Sequence, residues 1–300
     1  MGLSTDDKVS VRDLLYGLLM VSGNDAAVAL AEFVSGNIDD FAILMNEKVL
    51  NLGLTSSHFV TPHGLDQDEH YTTAFELAKI ADYALCNDVF SKIVRTSNYT
   101  VTIDGNPKNL HNTNELLGNL DGVYGVKTGF TNGANRCLVT SCKRGNLDIV
   151  CVVLGCDTKK DRTLDSAKLI NYVFSNFSVV NVYDIIKSKF DIWVSTQSKN
   201  VSIEKCTNSI SNFVLDESQI QFKNIAVNNS NLNNINVSID FTNDFIAPLP
   251  KNSIIGKMTV NINDFDYFSV DILNEHTINR KNVFDYLNSF FVNYLGYFDL

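Results

Sequence analysis

Residues 125–131 read Gly-Val-Lys-Thr-Gly-Phe-Thr, and their valine and aromatic content predicts a β-strand. Within this stretch, Lys127 supplies a positive charge, Thr128 a neighbouring hydroxyl group, and Gly129 room for another backbone to come close. A peptide that ends in a carboxylate could lie along this strand, with its terminal charge held by Lys127 and Thr128. The simpler interpretation is an ordinary strand with one solvated lysine, because a tripeptide alone is a weak motif.

The same stretch does not match a phosphate-binding loop. In that motif a lysine directly follows the second glycine and a helix begins there, whereas here Val126 separates Gly125 from Lys127 and strand residues follow. The formal net charge of −10 argues against a nucleic-acid partner. The sequence therefore indicates neither a nucleotide site nor a nucleic-acid site.

Six cysteines are present, and four of them lie between positions 137 and 156. The pairs Cys137–Cys142 and Cys151–Cys156 each span five positions of predicted strand, which separates the two thiols by roughly 16 Å and turns them to opposite faces. Neither pair can chelate a metal in that arrangement. We therefore predict buried apolar thiols, with no metal and no cofactor.

The first ninety residues have the pattern of helices. Apolar residues recur at helical spacing after a capping box at Ser10–Asp13, and a second box at Thr73–Glu76 opens another helix. Between the first two helices lies the polar turn Ser22-Gly23-Asn24. Capping explains these residue types well, with Ser22 or Asn24 capping the second helix and Gly23 ending the first. However, the turn also leaves a hydroxyl and an amide near a buried seam.

From about Tyr99 the periodicity becomes that of strands. The strand with Lys127 and two more, joined by a glycine-bearing turn, predict an antiparallel meander that a helix over 161–177 would cover. Beyond residue 177 we find alternating strand patterns and no helical signal up to about residue 275. The chain is thus predicted to be α+β: a helical block with an antiparallel sheet over 1–178, a small all-β, sandwich-like domain over 179–276, and an amphipathic helix in 277–300.

Two of these features together match a known constellation, Ser-x-Asn at a helical turn and Lys-Thr-Gly on a strand roughly a hundred residues later. Three sequence segments carry or accompany these motifs, namely VRDLLYGLLMVSGNDAAVALAE, FVTPHGLD and GVKTGFTNGANRCLVTS. A fourth segment, IAPLPKNSIIGKMTV, lies in the β-rich part. The chain resembles the serine D-alanyl-D-alanine carboxypeptidases, the low-molecular-weight penicillin-binding proteins. This resemblance covers nearly the whole chain. It implies a β-lactamase/transpeptidase-like catalytic domain followed by the β-rich domain of the same family.

The resemblance implies a role for each matched residue. Ser22 would relay a proton toward the leaving D-alanine nitrogen, and Asn24 would hydrogen-bond the backbone amide of the substrate. Lys127 and Thr128 would hold the terminal carboxylate, and Gly129 would allow its close approach. Lys127 would also supply a positive field that keeps neighbouring amines deprotonated. The implied partners are peptidoglycan stem peptides ending in D-Ala-D-Ala and β-lactams, and the implied location is extracytoplasmic, at the cell envelope.

The nucleophile of this family is not found where the resemblance requires it. Its Ser-x-x-Lys pair lies several dozen residues ahead of the Ser-x-Asn turn, but only the residues 1–21 precede Ser22 and none forms that motif. The one match, Ser202–Lys205, falls in the β-rich part on a predicted strand. We therefore expect Met1 to lie inside an N-terminally incomplete catalytic domain, and the chain as given to be inactive.

Three interpretations of the function remain open. The intact protein could be a carboxypeptidase that trims stem peptides, or a related β-lactamase, which the added β-rich domain disfavours. Alternatively, the chain is a non-catalytic remnant of such an enzyme that binds the peptidoglycan of the cell wall. The last helix, over about 282–298, has an aromatic face that could lie at a membrane surface or dock on the protein itself. No run of about 18 apolar residues predicts a membrane span.

Overall fold

The structure is a computed structural model that describes residues 1–207, 212–220 and 223–294. The chain divides into two compact units, Met1–Ser175 and Asn176–Leu300. Both units combine helices with antiparallel sheets, so the predicted α+β class is confirmed. No helix in the described ranges is long and apolar enough to cross a membrane.

The first unit begins with helices and continues with strands, as predicted. Its elements are α1 (Val11–Val21), α2 (Asn24–Ser35), α3 (Ile38–Asn51), α4 (Ala74–Leu85), α5 (Asp88–Val94), β1 (Asn98–Ile103), β2 (Asn106–His111), β3 (Val123–Thr131), β4 (Asn135–Arg144), β5 (Leu147–Cys156) and α6 (Lys159–Asn176). Ser10 Oγ accepts a hydrogen bond from the Asp13 N–H at 3.0 Å, and Thr73 Oγ1 accepts one from the Glu76 N–H at 3.2 Å. Both predicted N-caps therefore begin helices, α1 and α4.

The strands β3, β4 and β5 form the predicted antiparallel meander, in that spatial order. β3 is therefore an edge strand of this sheet, paired along one side with β4. Ile170 of α6 packs against Leu138, Cys142 and Val153 on one face of the meander, which confirms the predicted covering helix. The Lys127 strand is thereby fixed along one edge and left open along the other, where a ligand backbone can pair with it.

The predicted thiol environments are right at two positions and wrong at a third. Cys142 and Cys151 are buried in the apolar layer between the sheet and α6. Burial raises the pKa of Cys151 to about 11, since an apolar layer disfavours the thiolate. Cys86, by contrast, is exposed, because it follows the last turn of α4 at the surface. All six cysteines are free thiols.

The second unit is built mainly of short strands. Its elements are β6 (Phe177–Asn181), α7 (Val182–Thr196), β7 (Ser202–Glu204), β8 (Phe213–Leu215), β9 (Asn224–Asn228), β10 (Ile235–Phe241), β11 (Asp244–Ile246), β12 (Ile254–Ile262), β13 (Phe265–Asn274) and α8 (Val283–Tyr294). A four-stranded antiparallel sheet has the order β10-β12-β13-β8, and the pairs β6-β9 and β7-β11 lie outside it. One continuous apolar cluster fills this unit, with Met258, Val270 and Ile272 fully buried.

The prediction of an all-β domain over 179–276 is wrong at α7. This 15-residue helix places Val182, Ile186 and Trp193 in the apolar cluster, at helical spacing. Its start is capped, because Asn181 Oδ1 accepts a hydrogen bond from the Asp184 N–H at 3.2 Å. The β-branched and aromatic residues of the segment concealed this period, since they are also typical of strands.

The C-terminal helix α8 carries an exposed apolar face. Val283, Phe284, Tyr286, Leu287 and Phe290 are each about half exposed or more. The predicted helix was longer, and its residues 295–298 lie outside the described residues. The other predicted motif in this unit, Ser202-x-x-Lys205, has its serine on β7 and its lysine in the following turn. Ser202 is thus on a strand, as predicted, and not at the start of a helix.

Candidate active site

The turn after α1 presents Ser22 to solvent in an unusual conformation. Ser22 ends α1 with left-handed backbone angles (φ 55°, ψ 44°), and its N–H donates to Leu18 O at 3.1 Å. Gly23 is buried, and a Cβ at this position would stand 2.9 Å from Asp25 Oδ1, so only glycine fits without displacing that side chain. The two polar side chains on either side, Ser22 and Asn24, remain exposed.

The predicted capping roles of this turn are therefore wrong. Ser22 terminates α1 and does not cap α2, Gly23 is the N-cap residue of α2 without a side-chain bond, and Asn24 is already the first residue of α2. Since capping accounts for neither the hydroxyl nor the amide, both side chains are free to serve the cleft that they face.

Lys127 joins this turn to β3. Its Nζ donates a hydrogen bond to Ser22 Oγ, across 105 positions of the chain, and another to Thr128 O at 2.6 Å. Partial burial and then the nearby Arg162 guanidinium lower the pKa of Lys127 to about 8. Lys127 is therefore a cation at neutral pH, but one that loses its proton more readily than an ordinary lysine.

Arg162 is a second cation at this site, and no sequence motif marked it. It lies in the first turns of α6, is only 3% exposed, and contacts Glu115 Oε2 through Nη2 at 3.4 Å. Its Nε finds no acceptor among the described residues. Glu115 Oε2 also accepts a hydrogen bond from Thr163 Oγ1 at 2.8 Å, so this carboxylate is shared. A buried guanidinium with an unused donor is well suited to an anionic ligand.

The loop before β3 positions the strand, and sequence reasoning missed this too. Thr113 Oγ1 is 2.6 Å from Thr128 Oγ1, and the Thr113 N–H donates to Met20 O at 3.0 Å, which ties β3 to the end of α1. Asn114 is buried, donates to Gly125 O at 2.9 Å and accepts from the Leu116 N–H at 3.1 Å. A run of Asn and Thr residues between predicted elements favours such local bonds, and this was the available signal.

These groups share one cleft of about 790 Å³ within the first unit. The five residues predicted from the two motifs all line it, namely Ser22, Asn24, Lys127, Thr128 and Gly129. The cleft also contains Arg162, Glu115, Arg136 and the loop around His63. Asp66 of that loop accepts a hydrogen bond from the Gly133 N–H at 3.0 Å, which attaches the loop to the β3–β4 turn.

Gly129 is not required by the chain around it. A Cβ at this position would meet only Cys137 Cβ, at an ordinary contact distance of 3.5 Å. Gly129 also lacks a positive φ, which would have favoured glycine for conformational reasons. The absent side chain therefore leaves room on the face of β3 that Gly129 shares with Cys137.

Known proteins resemble this chain in sequence and in fold. A sequence profile of the family described as "D-alanyl-D-alanine carboxypeptidase" matches residues 1–158. The D-alanyl-D-alanine carboxypeptidase DacF of Bacillus subtilis is 36% identical over 182 residues, which are 60% of this chain and 47% of the relative. DacA of Escherichia coli is 38% identical over 181 residues, covering 60% of this chain and 44% of that protein. The chain spans about half the length of the curated relatives that it matches.

Solved structures extend the similarity into the second unit. Penicillin binding protein 5 from Haemophilus influenzae has a TM-score of 0.67 and 28% identity, covering 90% of this chain and 75% of that chain. The D-alanyl-D-alanine carboxypeptidase DacD from Francisella tularensis has a TM-score of 0.65, covers 91% of this chain and 76% of its own, and at 23% identity shares the fold. The profile match covers more than half of the sequence. The chain therefore belongs to the D-alanyl-D-alanine carboxypeptidase family.

Proposed function

We propose that the intact protein is a serine D-alanyl-D-alanine carboxypeptidase that removes the terminal D-alanine from peptidoglycan stem peptides. The observation that carries this proposal is the meeting of Ser22, Lys127, Thr128 and Arg162 in one cleft. Two cations and a hydroxyl group beside an open strand edge suit a peptide that ends in a carboxylate. Peptidoglycan stem peptides, and the β-lactams that mimic them, are encountered outside the cytoplasm. The proposed location of the protein is therefore the cell envelope.

Each residue has a proposed task in binding. The terminal carboxylate lies against Lys127 Nζ, Thr128 Oγ1 and the buried guanidinium of Arg162. The peptide backbone pairs with the free edge of β3, for which Gly129 leaves space, and Asn24 donates to the substrate amide. Ser22, hydrogen-bonded to Lys127, relays a proton to the leaving nitrogen.

This chain is proposed to bind the substrate without forming an acyl-enzyme. An amine lies within reach of the Ser22 hydroxyl, because Lys127 Nζ contacts Ser22 Oγ. However, Lys127 has a pKa of about 8, so at pH 7 about nine-tenths of it is protonated and donates to Ser22. A protonated amine cannot take the proton of the serine. Acylation therefore still requires a Ser-x-x-Lys pair at the family's position.

Intact mass after incubation with benzylpenicillin at pH 7 tests the catalytic part of this proposal. We expect an unchanged mass, since loss of the nucleophile in a comparable serine enzyme removes on the order of a millionfold in turnover. A stoichiometric adduct mapped to Ser22 would show that the Ser22–Lys127 pair is itself a nucleophile and base. The Ser22→Ala variant is the matched control for that assignment.

Stereochemistry tests the substrate class. An acetylated tripeptide ending in D-Ala-D-Ala should bind this chain, and its L-Ala-L-Ala diastereomer should not, as measured by titration calorimetry or NMR shift mapping. Equal binding of both would favour a general carboxylate site over a carboxypeptidase cleft. Binding of D-Ala-D-Ala without any adduct also fits the alternative that this chain acts as a non-catalytic wall-binding protein.

A membrane surface is proposed as the partner of α8. The support is its exposed apolar face, in which Phe284, Leu287 and Phe290 recur at helical spacing. Basic residues flank only its start, at Arg280 and Lys281, so weak binding with little dependence on lipid charge is expected. Co-sedimentation with phosphatidylcholine vesicles should fall when Phe284 and Phe290 are replaced by Ser. Unchanged co-sedimentation would exclude this surface.

A further inference from the structure

A peptide bound at this cleft can continue in only one direction along β3. Toward the start of the strand, Gly125 and Val126 are buried, and Gly125 O already accepts the hydrogen bond from Asn114. Toward its end, Phe130 is 50% exposed and Thr131 partly so. With the terminal carboxylate at Lys127 and Thr128, the rest of the peptide must therefore extend past Gly129 toward Phe130.

The distance along β3 from Thr128 to Phe130 determines which residue of the peptide lies opposite Phe130. Thr128 and Phe130 are two positions apart, which is about 7 Å of strand. An added antiparallel peptide strand has the same rise, so the residue that precedes D-Ala-D-Ala comes level with Phe130. The side chain of an L-residue directly opposite Phe130 points to the same face of the sheet as Phe130, so it lies beside the Phe130 ring.

Arg136 lies beside this position with its charge uncompensated. It pairs with Phe130 across the β3–β4 ladder, and its guanidinium carbon is 3.5 Å from the centre of the Phe130 ring. In the described ranges, its side chain makes no hydrogen bond or ion pair with another residue, although Arg136 lines the cleft. Two other arginines near this sheet are ion-paired, Arg144 with Asp121 and Arg162 with Glu115.

We propose that Arg136, held on the Phe130 ring, is a specificity-determining residue for a carboxylate on the substrate residue immediately before D-Ala-D-Ala. Stacking fixes the plane of the guanidinium and leaves its N–H groups along the edge free for two parallel bonds to a carboxylate. This inference rests on the proposed function, because the terminal carboxylate sets the position of the peptide. Arg136 would bind a carboxylate on a side chain of the peptide, separately from the contact between the cleft and the terminal carboxylate.

A pair of tripeptides tests the proposal, acetyl-L-Glu-D-Ala-D-Ala and acetyl-L-Gln-D-Ala-D-Ala, which differ only in the charge of the first side chain. Calorimetric titration of the full chain at pH 7 should give a dissociation constant about fivefold lower for the Glu peptide, as expected for a partly exposed charge-assisted bond. Added salt should reduce this preference. Arg136→Gln should abolish it while leaving the Gln peptide unchanged, and Arg136→Lys should keep part of it.

Arg95→Gln is the matched control, because Arg95 also stacks on an aromatic ring, Tyr124, at 4.5 Å but does not line this cleft. It should leave the preference for the Glu peptide intact. Equal binding of both peptides by the native chain, or a preference that survives Arg136→Gln, overturns the proposal. So does an Arg136→Gln variant that weakens both peptides equally, since that result indicates a structural role. Failure of both peptides to bind the native chain overturns the proposed function itself.

Discussion

The two units of this protein bury different kinds of side chain. Among the described residues, the buried polar side chains other than Asn274 all lie in the first unit, including Asp13, Glu76, Asn114 and Arg162. The apolar residues of the first unit form three separate clusters, whereas the second unit has one continuous cluster. Because burying polar groups costs free energy unless they are hydrogen-bonded, such groups are concentrated where geometry must be specified. The first unit is organised around its cleft, and the second around its core.

The largest expected effect is the removal of the centre of the second unit. Trp193 is 2% exposed and contacts Phe190, Phe213 and Phe241. Trp193→Ala should destabilise this unit by about 3–5 kcal/mol, through lost burial and the cavity left behind. Hydrogen exchange should localise the loss to residues after 176, with peptide binding at the cleft unchanged.

The control for this variant is Ile192→Ala, one position away but 56% exposed, which should change stability little. Loss of peptide binding in Trp193→Ala would contradict the division of roles between the two units.

A smaller effect is expected from the polar network of the first unit. Asn114→Ala removes the donor to Gly125 O and the acceptor of the Leu116 N–H, both buried. We expect a loss of about 1–3 kcal/mol, since these backbone groups are left without partners, together with weaker peptide binding because β3 is no longer fixed. Asn106→Ala, at an exposed strand end, is the control for a general effect of removing an amide. Thermal unfolding and titration of one sample would separate the two consequences.

The pH dependence of binding should distinguish the two cations of the cleft. Lys127, with its pKa lowered to about 8, is charged below that pH and neutral above it, whereas a guanidinium group in general keeps its charge over this range. Affinity for a terminal carboxylate should therefore be constant between about pH 6 and 7.5 and fall about tenfold by pH 9. In Lys127→Arg the fall should vanish. A native affinity that is flat to pH 9.5 would mean that Lys127 does not contact the carboxylate.

Local patterns were sufficient to predict much of the first unit. The N-caps at Ser10 and Thr73 and the β3–β5 meander follow from short-range periodicity, and Ser22 and Lys127 were recognised from two short motifs. These features depend on residues only a few positions apart, and such signals survive in a single sequence.

The features that could not be predicted depend on contacts between residues that are far apart in the sequence. Arg162 shares a buried stripe of α6 with Ser166 and Ile170, but periodicity does not say that this stripe ends at a cleft. Asn114 acts through a backbone carbonyl eleven positions away, in a loop without periodicity. In α7, the β-branched and aromatic composition favoured a strand, and the helical period became visible only from the burial of Val182, Ile186 and Trp193 in the structure.

The cleft of the first unit is proposed to bind a terminal carboxylate through Lys127, Thr128 and Arg162. The most direct test is a calorimetric comparison of an acetylated tripeptide ending in D-Ala-D-Ala with the same tripeptide as its C-terminal amide, using native chain and Lys127→Met. We expect the native chain to bind the acid at least about tenfold more tightly than the amide, as for a buried charge-assisted bond. Lys127→Met should remove most of that difference. Equal affinity of the native chain for acid and amide would show that the cleft does not recognise the terminal carboxylate.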